Sequence, residues 1–262
     1  MIPVLDAFSY GGGVQSNGAL VLAAEGEIDC RLFIFSNVGE DSENPDTLTY
    51  VENIAKPYAA AHGIEFVEVR RKKTIRQQVV GDNRDIPIPM YLASGAPGNR
   101  KCTLRWKSER IQTYLRRTWG FTKQSPALVG IGFSLDEFHR MKTDKPGMVQ
   151  KLSYPLIDLR LTRRDCIQII KDAGLPIPPK SSCFFCPFHS PAHWARLRAE
   201  HPDLYADAVY IEKKVNEKRK NIGRDTMYMH RYMVPLDVIG DQMMLDLPDD
   251  EEYYCQSGVC FV

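Results

Sequence analysis

A glycine-rich loop near the N-terminus constrains the fold of this chain more than any other feature. The loop, Ser9-Tyr10-Gly11-Gly12-Gly13-Val14-Gln15-Ser16, follows an apolar stretch and precedes a run of helix-forming residues. A strand that leads through a glycine turn into a helix presents backbone N–H groups and the positive end of the helix dipole to an anion. Three consecutive glycines cost too much chain entropy for a routine tight turn. The loop therefore predicts a nucleotide phosphate bound by Gly11, Gly12, Gly13 and Ser16.

The overall charge balance argues against a general attraction to nucleic acid. The 262 residues are 44% hydrophobic and 26% charged, as in ordinary globular proteins, and the net charge is only +1. A nucleic-acid partner would need a local basic patch. Basic runs occur at residues 70–73, 160–164 and 213–220, and an acidic run at 246–252 offsets them. Runs of this kind are usually solvated faces, so charge alone does not predict such a partner.

The cysteines and the apolar runs indicate a reducing compartment. No apolar run approaches the roughly 20 residues of a membrane helix, and no signal peptide precedes the first strand. We therefore expect a cytoplasmic protein without membrane contact. Its seven cysteines are then thiols, ligands or catalysts rather than a disulfide framework.

Strand-like runs alternate with helical runs through much of the chain. The pattern predicts strands at 4–8, 31–37, 65–70 and 127–131, and helices at 14–25, 47–62, 104–119 and 162–173. This alternation predicts an α/β fold, a parallel sheet with helices on both faces. Residues 81–100, with three prolines and three glycines, predict a long loop over the carboxyl edge of the sheet.

The character of the sequence changes after residue 186. The stretch 191–222 is highly charged and helical, and 231–238 is expected to be short and extended. We therefore predict a nucleotide-binding domain over residues 1–186 and a small helical C-terminal extension over 187–262, which ends in a cysteine-containing tail.

A Cys-x-x-Cys motif, Cys183-Phe184-Phe185-Cys186, has the spacing of zinc or iron–sulfur ligands. Cysteines buried in a core are the alternative. Cys30 and Cys166 fall within apolar patterns, which predicts core positions for both. In the tail, Cys255 and Cys260 are candidates for a fourth ligand, or for a pair that passes a persulfide or forms a disulfide during turnover.

Charged residues follow the predicted strand 127–131. The acids Asp136 and Glu137 would suit magnesium held against phosphates, and Arg140 would suit a phosphate oxygen. A solvated helix start, where the dipole favours acids, is the alternative. We expect His189, just after the Cys-x-x-Cys motif, to be a surface histidine.

Five stretches, in this order, resemble the phosphoadenosine-phosphosulfate reductase branch of the ATP-pyrophosphatase (PP-loop) superfamily, which also holds tRNA thiolases and the sulfur-insertion protein of DNA phosphorothioation. The resemblance spans residues 4–190. Its motifs are the loop Ser9 to Ser16, Asn37-Val38-Gly39 with Asn44-Pro45-Asp46-Thr47, Arg100-Lys101-Cys102-Thr103 with Lys107, Gly130-Ile131 through Asp136, Glu137 and Arg140, and Tyr154-Pro155-Leu156 with Cys183-x-x-Cys186-Pro187.

The resemblance implies a Rossmann-like (HUP-type) fold and an adenine-nucleotide site. It implies magnesium as a further cofactor and Asp136 as a catalytic residue. One departure stands out, because Val14 occupies a position where ATP-using members often carry lysine. The nucleotide-binding residues implied are Ser9, Gly11, Gly12, Gly13, Gln15, Ser16, Asn37, Gly39, Gly130, Glu137 and Arg140.

The resemblance also implies a [4Fe-4S] cluster, with zinc as the alternative. Cluster-bearing relatives carry a Cys-Cys pair upstream of the Cys-x-x-Cys, and here Cys102 stands alone in that place. Cys102, Cys183 and Cys186 would leave one iron open. Cys260 or Cys255 would instead close the site.

The activity implied is ATP-dependent sulfur transfer to an adenylated oxygen of a nucleic-acid substrate, with release of AMP and pyrophosphate. The partners implied are an adenine nucleotide, a tRNA or DNA, and a sulfur-donating protein such as a cysteine desulfurase, and a homodimer is left open. Two alternatives remain at this point. One is a thiol-dependent sulfonucleotide reductase that attacks its substrate with Cys260 and also uses Cys255. The other is a non-catalytic nucleotide-binding subunit.

Overall fold

The computed structural model describes residues 3–144 and 147–239. The strands are β1 Ala7–Tyr10, β2 Leu32–Asn37, β3 Glu65–Arg70, β4 Tyr91–Leu92, β5 Ala127–Ile131, β6 Gln150–Ser153 and β7 Met227–Tyr228. The α-helices are α1 Val14–Ala24, α2 Pro45–Tyr50, α3 Lys56–Ala61, α4 Ile75–Val80, α5 Glu109–Thr118, α6 Pro155–Asp158, α7 Arg163–Asp172, α8 Pro191–Glu200 and α9 Pro202–Lys220. Shorter helical turns are the π-wound Val51–Ala55 and Thr103–Ser108 and the 3₁₀ segment Leu135–Arg140.

The chain divides into two compact units. The first unit takes in the described parts of Met1–Arg71 and Trp106–Ser181, and the second those of Lys72–Arg105 and Ser182–Val262. The sequence predicted one boundary after residue 186, whereas the structure assigns 72–105 to the second unit as well. The predicted long loop at 81–100 therefore belongs to the second unit, and it contains β4.

The first unit is built on a five-stranded sheet of order β3-β2-β1-β5-β6, in which every neighbouring pair is parallel. The chain moves outward from β1 through β2 to β3, then returns to the other side of β1 for β5 and β6. This reversal makes the carboxyl ends of β1 and β5 a topological switch point, where open α/β sheets bind ligands. The Rossmann-like α/β class predicted from the sequence is confirmed.

The core of this unit explains why these residues form these elements. All six residues of β2 are buried, as expected for a strand covered on both faces. Helix α1 is buried along most of its length and packs against α7 at Gly18, where an added Cβ would lie 3.0 Å from the Cβ of Cys166. Burial raises the pKa of Cys166 to about 12 and that of Cys30 to about 11. Both thiols are core groups, as predicted.

In the second unit, one face of α9 holds the segment that follows it. The Asn216 side chain exchanges two hydrogen bonds with the backbone of Met227, at 2.8 and 2.9 Å. Farther up the helix, the Glu212 carboxylate accepts the backbone N–H groups of Met229 at 2.6 Å and Leu236 at 2.8 Å. These bonds fix β7, which pairs antiparallel with β4. No helix in the described part of the chain is long and apolar enough to cross a membrane.

Some local predictions were wrong. Strand β6 and helix α4 were missed, because β6 is short and polar and α4 has only six residues. The segment 231–238 forms turns rather than a strand. Thr162 begins α7 as predicted, where it and Asp165 form a reciprocal capping box.

Glu212 predicts a pH dependence of folding. Burial, which outweighs the two N–H donors, raises the pKa of this carboxyl from 4.5 to about 7. Between those values the folded chain holds a proton that the unfolded chain has released. The free energy of unfolding should therefore fall by about 3 kcal/mol as the pH rises through this window.

The measurement is urea unfolding at pH values from about 5 to about 8. Glu212→Gln, which stays neutral, should lose this part of the slope. Glu200→Gln, at an exposed carboxyl, should keep it. Equal slopes in wild type and Glu212→Gln would contradict the assignment.

Candidate nucleotide site and cysteine segment

The glycine loop is held in a conformation that only glycine accepts at Gly12. Its φ is +81°, and an added Cβ would lie 2.8 Å from Cγ2 of Thr47 and 3.3 Å from Oγ of Ser181. The Ser181 hydroxyl also donates to the carbonyl of Gly11. The loop is thus packed from two sides by residues distant in sequence.

The start of α1 is braced below the loop. The carbonyl of Gly13 accepts the hydroxyl of Ser16 at 3.0 Å and the side-chain amide of Asn17 at 2.9 Å, and Asn17 in turn accepts the hydroxyl of Tyr10 at 2.8 Å. Gly13 is the N-cap and has no side chain with which to cap the first amides of α1. Those N–H groups, with the helix dipole, are donors for an anion.

A polar network joins the loop to the segment after β5. Gln15 donates its amide to Glu137 at 3.1 Å and accepts from the guanidinium of Arg163 at 3.1 Å. Glu137 also forms an ion pair with Arg140, and both side chains are almost fully buried. The guanidinium of Arg140 lies 4.4 Å from the ring centre of Phe133. The structure therefore brings Gln15, Glu137 and Arg140 together in one hydrogen-bonded network.

The residues after β2 form a second buried polar group. Asn37 accepts the N–H of Gly39 at 2.8 Å and donates to Glu68 at 3.0 Å, and Gly39 has a φ of +121°. Glu43 is fully buried, and burial raises the pKa of its carboxyl, although the charge of Lys107 opposes this. The hydroxyl of Thr47 is buried without a hydrogen-bond partner among the described residues.

Three other predicted nucleotide-site residues lie nearby with different local roles. Asp136 is exposed and accepts the N–H of Arg163 at 3.1 Å, at the start of α7. Gly130 lies in β5, where an added Cβ would meet the side chains of Phe8 and Leu5, so strand packing alone accounts for this glycine. Ser9, half-buried, lies in β1.

The sequence reasoning missed three residues at the loop: Thr47, Ser181 and Arg163. Thr47 was quoted only as part of a motif, and Ser181 stands two residues before Cys183. A signal existed for Arg163, because cations are disfavoured in the first turn of a helix and this arginine is the first residue of α7.

The Cys-x-x-Cys motif forms a tight turn in the second unit. The N–H of Cys186 donates to the carbonyl of Cys183 at 3.0 Å, and the N–H of His189 donates to the carbonyl of Cys186 at 3.1 Å. The His189 ring, which is buried rather than at the surface as predicted, places Nε2 3.0 Å from the Cys183 carbonyl. A carbonyl only accepts, so Nε2 carries the hydrogen.

The described cysteines do not assemble into a metal centre. Cys102, Cys183 and Cys186 are all in the second unit and all half-buried, but within residues 3–144 and 147–239 no three His, Cys, Asp or Glu side chains come together as metal ligands. Cys102 is held locally by its N–H, which donates to the carbonyl of Pro87 at 2.9 Å. Among the described residues, Cys102, Cys183 and Cys186 are therefore not gathered as metal ligands. Cys255 and Cys260 lie outside the described residues.

Comparison with solved structures found chains of similar fold. The structure is similar to that of the U34-tRNA thiolase NcsA from Methanococcus maripaludis, solved with its [4Fe-4S] cluster, with a TM-score of 0.45 and 18% identity over 82% of this chain and 72% of that one. No family model matches the sequence, and no curated protein is similar to it.

The packing at Gly12 predicts a position-specific effect of alanine. Gly12 and Gly26 have nearly equal φ values, +81° and +83°, but a Cβ at Gly26 would meet open space. Both substitutions should cost about 1–2 kcal/mol for the left-handed backbone. Gly12→Ala should cost about 1–3 kcal/mol more from overpacking and should also abolish ATP binding. Calorimetric titration with ATP and urea unfolding test this, and equal behaviour of the two variants would refute it.

The buried ion pair predicts a second contrast. Glu137→Gln should cost about 3–5 kcal/mol, because it removes one of the two charges of a buried ion pair. Glu217→Gln breaks an exposed pair of the same i,i+3 spacing, with Lys214, and should cost at most about 1 kcal/mol. Urea unfolding of both variants measures the free energy of unfolding that each one loses. Equal costs would mean that the Glu137–Arg140 pair does not stabilise the loop.

Proposed function

We propose that this chain uses ATP to adenylate an oxygen of a nucleic-acid substrate and then replaces that oxygen with sulfur. The substrate oxygen attacks the α-phosphorus and pyrophosphate leaves. Sulfide then attacks the activated carbon or phosphorus, and AMP departs with the original oxygen. Where a protein persulfide is the nucleophile, its outer sulfur attacks in the same way, and a second cysteine thiolate then cleaves the S–S bond, which leaves sulfur on the substrate and a disulfide on the protein. Adenylation matters because it turns a poor leaving group into a good one.

The geometry of the glycine loop carries this proposal. The loop stands at the switch point of the sheet, and its uncapped helix N-terminus offers several N–H donors to phosphate oxygens. Donors fixed before the reaction stabilise the charge that develops on departing pyrophosphate without reorganising. The packing of Thr47 and Ser181 against Gly12 keeps them fixed.

Arg163 is the candidate for the positive charge that a lysine would supply at Val14. Val14 is buried, so a lysine there would pay a large desolvation cost. Arg163 reaches the loop instead through Gln15, and its guanidinium is permanently charged. We assign it to the leaving phosphates, and Glu137 and Arg140 to the support of Gln15. Magnesium, with Asp136 as a ligand, remains part of the proposal.

The cysteines are the proposed route for sulfur. The second unit places Cys183 and Cys186 on one tight turn, and Cys183 lies two residues beyond Ser181, which bonds the loop. A thiol at this turn can carry sulfur as a persulfide when it attacks the outer sulfur of a donor protein's persulfide and the donor's own thiol leaves. No step is assigned to a cluster, because the described cysteines do not form one. The replacement of lysine by Val14 favours one alternative, a non-catalytic subunit that binds a nucleotide without turning it over.

The test follows ATP cleavage with unmodified transfer RNA and duplex DNA as parallel acceptors and sulfide as donor. We expect AMP and pyrophosphate in equal amounts, formed only when an acceptor is present. Arg163→Gln should lower the rate about 100-fold. Arg164→Gln, the exposed neighbour, should leave it unchanged. Tight binding of a sulfated adenylate without ATP cleavage would replace this proposal with the reductase.

A further inference from the structure

Charge is divided unequally between the two units. The described part of the second unit, 72–105 and 182–239, has 16 lysines and arginines against 9 acids, a net charge of +7. The described part of the first unit has 17 basic residues against 18 acids, a net charge of −1. The near-neutral total of the chain therefore conceals a strongly basic unit.

Most of this charge lies where two distant segments meet. Residues 72–84, around α4, and residues 218–225, at the end of α9, together hold eight basic residues and two acids, a net charge of +6. Lys218 joins them, because its ammonium donates to the carbonyls of Val79 and Gly81 at the end of α4. Lys73 lies beside it, with Nζ 3.3 Å from where a Cβ of Gly81 would be. We call these two segments the basic junction.

Internal structure accounts for only some of these charges. Arg76 pairs with both carboxylate oxygens of Asp207, at 2.7 and 2.6 Å. The Lys218 ammonium donates its hydrogen bonds to the carbonyls at the end of α4. A further set is exposed and forms no ion pair with any described residue: Lys72, Arg84, Lys220 and Arg224. These four cations lie on the two segments of the basic junction and repel one another. The repulsion destabilises the fold, so folding alone does not explain why the cations are there.

An exposed aromatic ring lies at the edge of the basic junction. Tyr210 on α9 is 45% exposed, and both the Arg76 guanidinium and the Lys214 ammonium lie 5.8 Å from its ring centre. Cations that track a phosphate backbone beside a ring on which a base stacks are the common features of single-strand nucleic-acid sites.

We propose that the basic junction binds the phosphate backbone of the nucleic-acid substrate and that Tyr210 stacks on one of its bases. This inference rests on the proposed function, since it assigns where that substrate is held. Four phosphate contacts release about three to four counterions, so binding should weaken steeply with salt.

The test compares two variants of equal charge change in the full-length protein. One replaces Lys72, Arg84, Lys220 and Arg224 with glutamine. The control replaces four exposed basic residues of the first unit with glutamine: Arg116, Arg117, Arg164 and Lys171. The probe is a fluorescein-labelled single-stranded RNA of about 20 nucleotides. Anisotropy titrations over a range of salt concentrations give the dissociation constant and its salt slope.

The basic-junction variant should bind at least about 10-fold more weakly than wild type, with a salt slope reduced by about three. The control should bind as wild type does. Tyr210→Leu should weaken binding about 10-fold without changing the salt slope, because it removes stacking but no charge. Equal losses in the basic-junction variant and its control, or none in either, would overturn the assignment.

ATP binding by the same variants separates this inference from the proposed function. The basic-junction variant should bind ATP as wild type does, since the glycine loop belongs to the first unit. Wild-type protein that binds RNA through the basic junction but never cleaves ATP would refute the proposed function and leave this surface standing. ATP cleavage with RNA binding indifferent to the basic junction would do the reverse.

Discussion

The close approach of Thr47 and Ser181 to Gly12 is the constraint on which the first unit depends. A side chain at Gly12 would displace both, and with them the carbonyl of Gly11 that Ser181 holds. The loop conformation then sets the start of α1, whose first amides face the proposed phosphates. One backbone angle that only glycine adopts readily thus connects the end of β1, the residues after β2 and the chain just before the Cys-x-x-Cys motif.

Polar groups around this loop lose their contact with water when the chain folds, and this desolvation is unfavourable for folding. The Glu137–Arg140 pair is almost fully out of water, and the Glu43 carboxyl and Thr47 hydroxyl are fully buried. Buried ion pairs are often no more stable than apolar replacements. Their concentration at one edge of the sheet is typical of a site whose groups are positioned for a ligand.

Patterns within single elements made much of the fold predictable. The spacing of apolar residues gave β3 and β5 at their observed limits, and Thr162 marked the start of α7. The site was predictable where a residue type is tied to a backbone need, as at Gly12. Ser181 was missed because only tertiary packing brings it to the loop, whereas Arg163 carried a signal in the first turn of α7. The sequence showed basic runs at 70–73 and 213–220, but it could not show that segments about 135 residues apart meet as the basic junction.

Solvent-oxygen labelling during ATP cleavage distinguishes the acceptor oxygen from water as the attacking group. We expect that, in ¹⁸O-water with an RNA or DNA acceptor and sulfide, neither AMP nor pyrophosphate takes up solvent oxygen. The oxygen that enters AMP comes from the acceptor, and the acceptor gains sulfur in its place. Labelled AMP or pyrophosphate would identify water as the attacking group, and formation of ADP would place cleavage at the wrong phosphate. Either result would contradict adenylation followed by sulfur transfer.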